Sequence, residues 1–66
     1  MATAEERFAW IKARHDEGRT VYVQNYLHVW KIAPKHRETI RLNGRHVELQ
    51  HGKRWDSING CALKAI

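Results

Sequence analysis

The side chains best suited to hold an anion gather around the single proline: Lys31, Lys35, His36 and Arg37, with Arg19 upstream. Three of them follow Pro34 directly, where a short helical turn would begin, and proline suits the first helical position. Cations at a helix N-terminus oppose its dipole, so folding supplies no reason for them there. Exposed backbone N–H groups together with these side chains would take a phosphate or a carboxylate. Aromatic residues interleave with the cluster. Tyr22, Tyr26 and Trp30 share one alternation parity, with His28 between them. Such a row is either a stacking platform for the bases of a single strand or a second buried face. Trp10 and Trp30 are the candidate aromatic anchors for a protein partner.

Other chemistry is harder to assemble. Five histidines and Cys61 invite a metal, yet no CxxC, HxxxH or HxH spacing occurs, and without ligand spacing no metal is assigned. Cys61 lies in a short apolar tail, where a lone cysteine reads as a small packed residue rather than a nucleophile. There is no glycine-rich phosphate loop, and a cap or turn accounts for each of the four glycines. Neither an enzyme nor a cofactor is expected.

Composition agrees with a binding role. Twelve Lys and Arg against seven Asp and Glu leave a net charge of +5. Residues 1–18 sum to −1 and residues 19–66 to +6, an asymmetry that points to a polyanion or an acidic protein surface. Sixty-six residues, 42% hydrophobic, make one domain over 1–66. A chain of this size buries only about 60% of its unfolded surface, which leaves no room for a deep catalytic cleft. One cysteine excludes an internal disulfide and fits a reducing compartment. Glu5, Glu6, Arg7 and Lys12 interrupt the start, so no signal peptide is read there. The longest uncharged run, 20–30, is too short and too polar to span a bilayer. The expectation is a cytoplasmic module with no membrane partner.

Several elements must position these residues. Thr3 and Glu6 form a capping-box pair, Ala4, Phe8, Ile11 and His15 recur at helical spacing, and Gly18 supplies a left-handed end. Trp10, about 200° from Phe8 around the helix, is off that stripe. From Arg19 to Ile32 the chain is β-rich. One straight strand there would run about 45 Å, against about 28 Å for the whole domain, so it must break, best at Gln24-Asn25. Residues 34–42 suit either a helical turn or a strand. Asn43-Gly44 predicts a two-residue hairpin turn pairing Ile40 with Val47. A three-residue loop, Gln50-His51-Gly52, would then pair Val47 with Trp55 and Leu49 with Lys53. That register places Ile40, Leu42, Val47, Leu49 and Trp55 on one face, and sets Glu48 against Arg54 and His46 against Asp56 on the other. The tail from Cys61 to Ile66 adds a last strand of open register. The fold class is α+β: an N-terminal helix packed on a small antiparallel sheet of about four strands, a meander or one curled into a partial barrel.

Three phrases carry a resemblance: Gly-Arg-Thr-Val-Tyr-Val-Gln at 18–24, Ile-Ala-Pro-Lys-His-Arg at 32–37 and His-Gly-Lys-Arg-Trp-Asp-Ser-Ile at 51–58. Over roughly residues 18–60 the chain resembles short open reading frames of proteobacterial phages and prophages. No catalytic or ligand motif accompanies the likeness, so it assigns no residue a role. It implies a phage accessory protein, a class that includes DNA-associated regulators and stoichiometric inhibitors of host defence or transcription machinery, anti-CRISPR proteins among them. The expected function is a small basic binding module that takes nucleic acid through Arg19, Lys31, Lys35, His36 and Arg37. The alternative is an inhibitor seated on an acidic surface of a nucleic-acid-handling host protein. A homodimer through an unpaired sheet edge is the third reading.

Overall fold

A computed structural model describes residues 3–66. Helix α1 (Ala4–Asp16) starts as predicted. The Thr3 hydroxyl accepts the Glu6 N–H at 3.1 Å, and the Glu6 carboxylate accepts the Thr3 N–H at 3.0 Å. Its end is a Schellman motif. Gly18 turns left-handed (φ 79°), its N–H meets the His15 carbonyl at 2.9 Å, and the Arg19 N–H meets that of Arg14 at 3.0 Å. Ile11 and His15 are buried. His15 Nε2 lies 3.0 Å from the Ile32 carbonyl oxygen, and since a carbonyl only accepts, Nε2 is the donor.

The β-rich run breaks where its length demands. Strands β1 (Val21–Gln24) and β2 (Val29–Ile32) form an antiparallel hairpin. Its tip is tied by Asn25, whose Oδ1 accepts the N–H groups of Leu27 at 2.9 Å and His28 at 2.8 Å. Gln24 pairs with Val29 across this loop, which exchanges the two parities. Val21, Val23, Trp30 and Ile32 therefore face inward, while Tyr22, Gln24, Val29 and Lys31 face outward. The aromatic row read from the sequence is dispersed: Tyr22 is on the outer face, Tyr26 at the exposed tip and Trp30 on the inner face.

A 3-10 turn (Pro34–Thr39) follows, then β3 (Ile40–Asn43), β4 (His46–His51) and β5 (Arg54–Ser57). The meander exists, with both predicted registers corrected. Ile40 pairs with Leu49 and Leu42 with Val47, so the first turn is Gly44-Arg45. A turn on Asn43-Gly44 would need positive φ at both residues; only Gly44 has it, at 59°, and glycine takes the first central position of a type II′ turn instead. This shift is even and preserves the face. The second turn is Gly52-Lys53, built the same way with Gly52 at φ 60°. Here the shift is odd, so Trp55 turns outward, opposite Gln50. Ile58, just past β5, is buried in the core, its N–H bonded to the Val47 carbonyl at 2.8 Å. The predicted Glu48–Arg54 and His46–Asp56 pairs do not form. Glu48 instead meets Arg41 at 2.7 Å, and the Arg41 guanidinium lies 4.1 Å over the Trp55 ring.

The tail resolves as β6 (Ala62–Ala65), antiparallel to β1. Among the described residues, six strands thus divide into two three-stranded sheets, β2-β1-β6 and β3-β4-β5, that do not close into a barrel. The helix packs against strands of both, and the buried core (Ile11, Val21, Val23, Ile32, Ile40, Val47, Leu49, Ile58) draws on all three layers. Arg7 fastens the helix to the β5–β6 connection: its Nη2 donates to the carbonyls of Ile58 at 3.1 Å and Cys61 at 2.6 Å. Cys61 is half-buried against the core. No helix among the described residues is long and apolar enough to cross a membrane.

Candidate binding groove

Two strand edges create the groove. β2 is the outer strand of the first sheet, with one side unpaired. β4 outruns β3, whose pairing stops at Leu49, so Gln50 and His51 have no neighbour on that side. Between them lies an open groove of about 310 Å³, lined by Trp30, Lys31 and Ile32 of β2, by His36 and Thr39 of the 3-10 turn, and by Leu49, Gln50 and His51 of β4. Three consecutive residues of a strand line one groove only along its edge, because successive side chains point to opposite faces.

Trp30 forms the wall. Its ring lies 5.6 Å from that of His28 and 5.4 Å from that of His51, both tilted. The inner faces of the two sheets meet at this contact. On its far side a second depression carries His28, Arg54 and Asp56, with Arg54 paired to Asp56 at 3.1 Å.

Six of the seven arginines have internal partners among the described residues, and Arg45 has no carboxylate within 4.0 Å. Arg14 and Arg19 both hold Glu17, at 3.0 and 3.2 Å, and together they keep its carboxyl below the usual carboxylate range. Arg37 holds Asp16, Arg41 holds Glu48, Arg54 holds Asp56, and Arg7 holds two carbonyls. Arg41 depresses the Glu48 carboxyl in the same way. The guanidinium fork suits these fixed internal pairings. Among the described residues, no lysine has a carboxylate within 4.0 Å.

The structure therefore separates the residues singled out in the sequence. Lys31 and His36 line the groove together with Trp30, and Lys35 is exposed on the same 3-10 turn. Arg37 points the other way, to α1, where it borders an apolar pit of about 150 Å³ with Phe8, Ile11, Lys12, His15 and Ile40. Arg19 is bound to Glu17 and reaches the Ala65 carbonyl at 3.4 Å, outside the groove. Trp10 is half-buried with the Arg14 guanidinium 5.2 Å over its ring, so it is already covered on that side. The backbone cradle expected after Pro34 is partly used internally, since the His36 N–H bonds the Ala33 carbonyl at 2.9 Å. The turn contributes side chains instead.

Thr39, Gln50 and His51 were not recognised from the sequence. The sequence pattern sets His51 in a loop; only the Gly52-Lys53 register puts it at the end of β4 facing Trp30. Among the described residues, no carboxylate lines the groove. It offers an indole wall, an ammonium group, an amide, a hydroxyl and two imidazoles, which suit a flat ring bearing a nearby anion. No group of three or more His, Cys, Asp and Glu placed to hold a metal occurs among the described residues. No protein-family model matches this chain, and neither a curated protein nor a solved structure is detectably similar to it.

Proposed function

We propose that this protein is a non-enzymatic module that binds nucleic acid by occupancy, with a single strand laid along the groove between β2 and β4. Lys31 and Lys35 take phosphates, and a base packs at Trp30 within reach of the hydrogen-bonding groups of Gln50, Thr39 and His36. The observation that supports this reading is the groove's lining among the described residues, an aromatic wall and the uncompensated Lys31 with no carboxylate, beside the exposed Lys35 of the 3-10 turn. A phage accessory protein acting by occupancy fits a module of this size, and such a role needs no catalytic apparatus.

The ion pairing makes the proposal quantitative. Two ammonium contacts on single-stranded nucleic acid correspond to a slope of log K against log salt near −1.4, at about −0.7 per contact. Affinity should then fall about fivefold between 50 and 150 mM salt. Fluorescence anisotropy of a labelled 12-mer single strand and its duplex measures this. Lys35→Gln should reduce the slope by about 0.7, whereas Arg37→Gln, already committed to Asp16, should leave it unchanged. Absence of binding at the lowest salt, or equal effects of the lysine and arginine variants, would refute the proposal.

A further inference from the structure

Large apolar side chains are exposed along the outer face and hairpin tip of the first sheet, with no part in the core. Tyr26, Leu27, Val29 and Ile66 are 105%, 83%, 58% and 69% exposed, and all four belong to the outer face or hairpin tip of the first sheet. Two shallow depressions on this face share Gln24 and Ala62, so the surface runs continuously from Ile66 past Tyr22 to Tyr26. Asn25 holds the tip through two side-chain hydrogen bonds, so the outward presentation of Tyr26 and Leu27 is organised before any partner arrives.

Charge decides what fits there. Tyr22, in the central strand, is opposite Lys31 on one side and Lys64 on the other, and neither lysine has an internal carboxylate partner among the described residues. Among the described residues, the face carries no acidic side chain. A second copy docked across a two-fold axis would set lysines against lysines with no acidic side chain on the face to receive them. Nucleic acid gains neither stacking nor hydrogen bonds from Leu27, Val29 and Ile66. Exposed apolar side chains interspersed with unpaired lysines suit a protein–protein interface whose other side carries acids. We infer that the open face of the first sheet, with its Tyr26-Leu27 tip, is a docking surface for a protein partner that presents an apolar socket ringed by Asp and Glu. This surface shares Lys31 with the groove but not its Trp30 wall, and the inference does not require that nucleic acid bind there.

The test is selection of a displayed random 12-mer peptide library against the full chain, followed by affinity measurement on synthesised winners. Winners should combine an aromatic or branched apolar residue with flanking acids. Their affinity should fall at least tenfold in Tyr26→Ser/Leu27→Ser and in Lys64→Glu, both of which should melt as the parent does, and should be unchanged in Lys35→Gln. Three results would overturn the inference: winners without acidic residues, winners that bind Tyr26→Ser/Leu27→Ser as well as the parent, or no enrichment over that variant. So would a dimer in light scattering, or oligonucleotide binding, that the same double variant abolishes.

Discussion

Arg7→Met tests whether a polar staple, rather than the apolar stripe alone, holds α1 on the sheets. The substitution keeps an aliphatic stem and removes only the guanidinium. Two hydrogen bonds from a charged donor are lost, to Ile58 and Cys61 carbonyls 51 and 54 residues away in sequence. Each is worth about 1.5–3 kcal/mol. Against this, Arg7 Nε is buried without a partner, and deleting it relieves a penalty of about 1–3 kcal/mol. The net loss comes to about 2–3 kcal/mol. Unfolding entropy near 2.1 cal/mol/K per residue gives about 0.14 kcal/mol/K for a chain of this length, so Tm should drop about 15–20 °C. Arg7→Lys, which places one ammonium near a single carbonyl, should lose roughly half as much. Thermal unfolding by circular dichroism, with urea midpoints as a check, measures both. If Arg7→Met melts within about 3 °C of the parent, the staple contributes nothing and the helix is held by Phe8, Ile11 and His15 alone.

Two further outcomes follow from the turns and the acid residues. Gly52→Ala should cost about 1–2 kcal/mol in urea unfolding, because the penalty lies in its φ of 60° and not in crowding: a Cβ there meets nothing within 4 Å. Gly60→Ala, equally open and without a positive φ, is the control, and equal effects would show that the turn conformation is not what matters. The Glu6, Glu17 and Glu48 carboxyls all titrate below their usual value of 4.5, through bonds from Thr3, from Arg14 and Arg19, and from Arg41 respectively. A depressed folded-state pKa contributes stability above the unfolded value that is lost as pH falls through the folded one. Urea midpoints should therefore be flat from neutral pH to about 5 and decline below about 4.5; a midpoint independent of pH down to 3, or an unchanged acid limb in the triple Glu→Gln variant, would contradict this.

Local chemistry was legible in the amino-acid order alone. Thr3, Glu6 and Gly18 bound their helix because capping and a left-handed end are settled within a few residues. The break after Gln24 followed from length against domain size, and the α+β class from the change of period. Arg19, Lys31, Lys35, His36 and Arg37 looked alike as a cationic series. Glu17 stands two residues before Arg19, so that pair is local, but nothing in the spacing showed that Asp16, at the end of α1, would claim Arg37.

Register and sheet membership needed the folded chain. Glycine can stand first or second in a two-residue turn, and each choice slides the pairing, so the dipeptide alone leaves Trp55 free to face in or out. The four residues between Gln24 and Val29 reverse parity, which sends Trp30 inward and leaves Tyr22 and Val29 outside. β6 completes a sheet begun some forty residues earlier, a pairing that no local pattern encodes. Short-range backbone preferences determined the elements; which edges remained open, and which cations remained unpaired beside them, was decided by long-range packing of the two sheets under one helix.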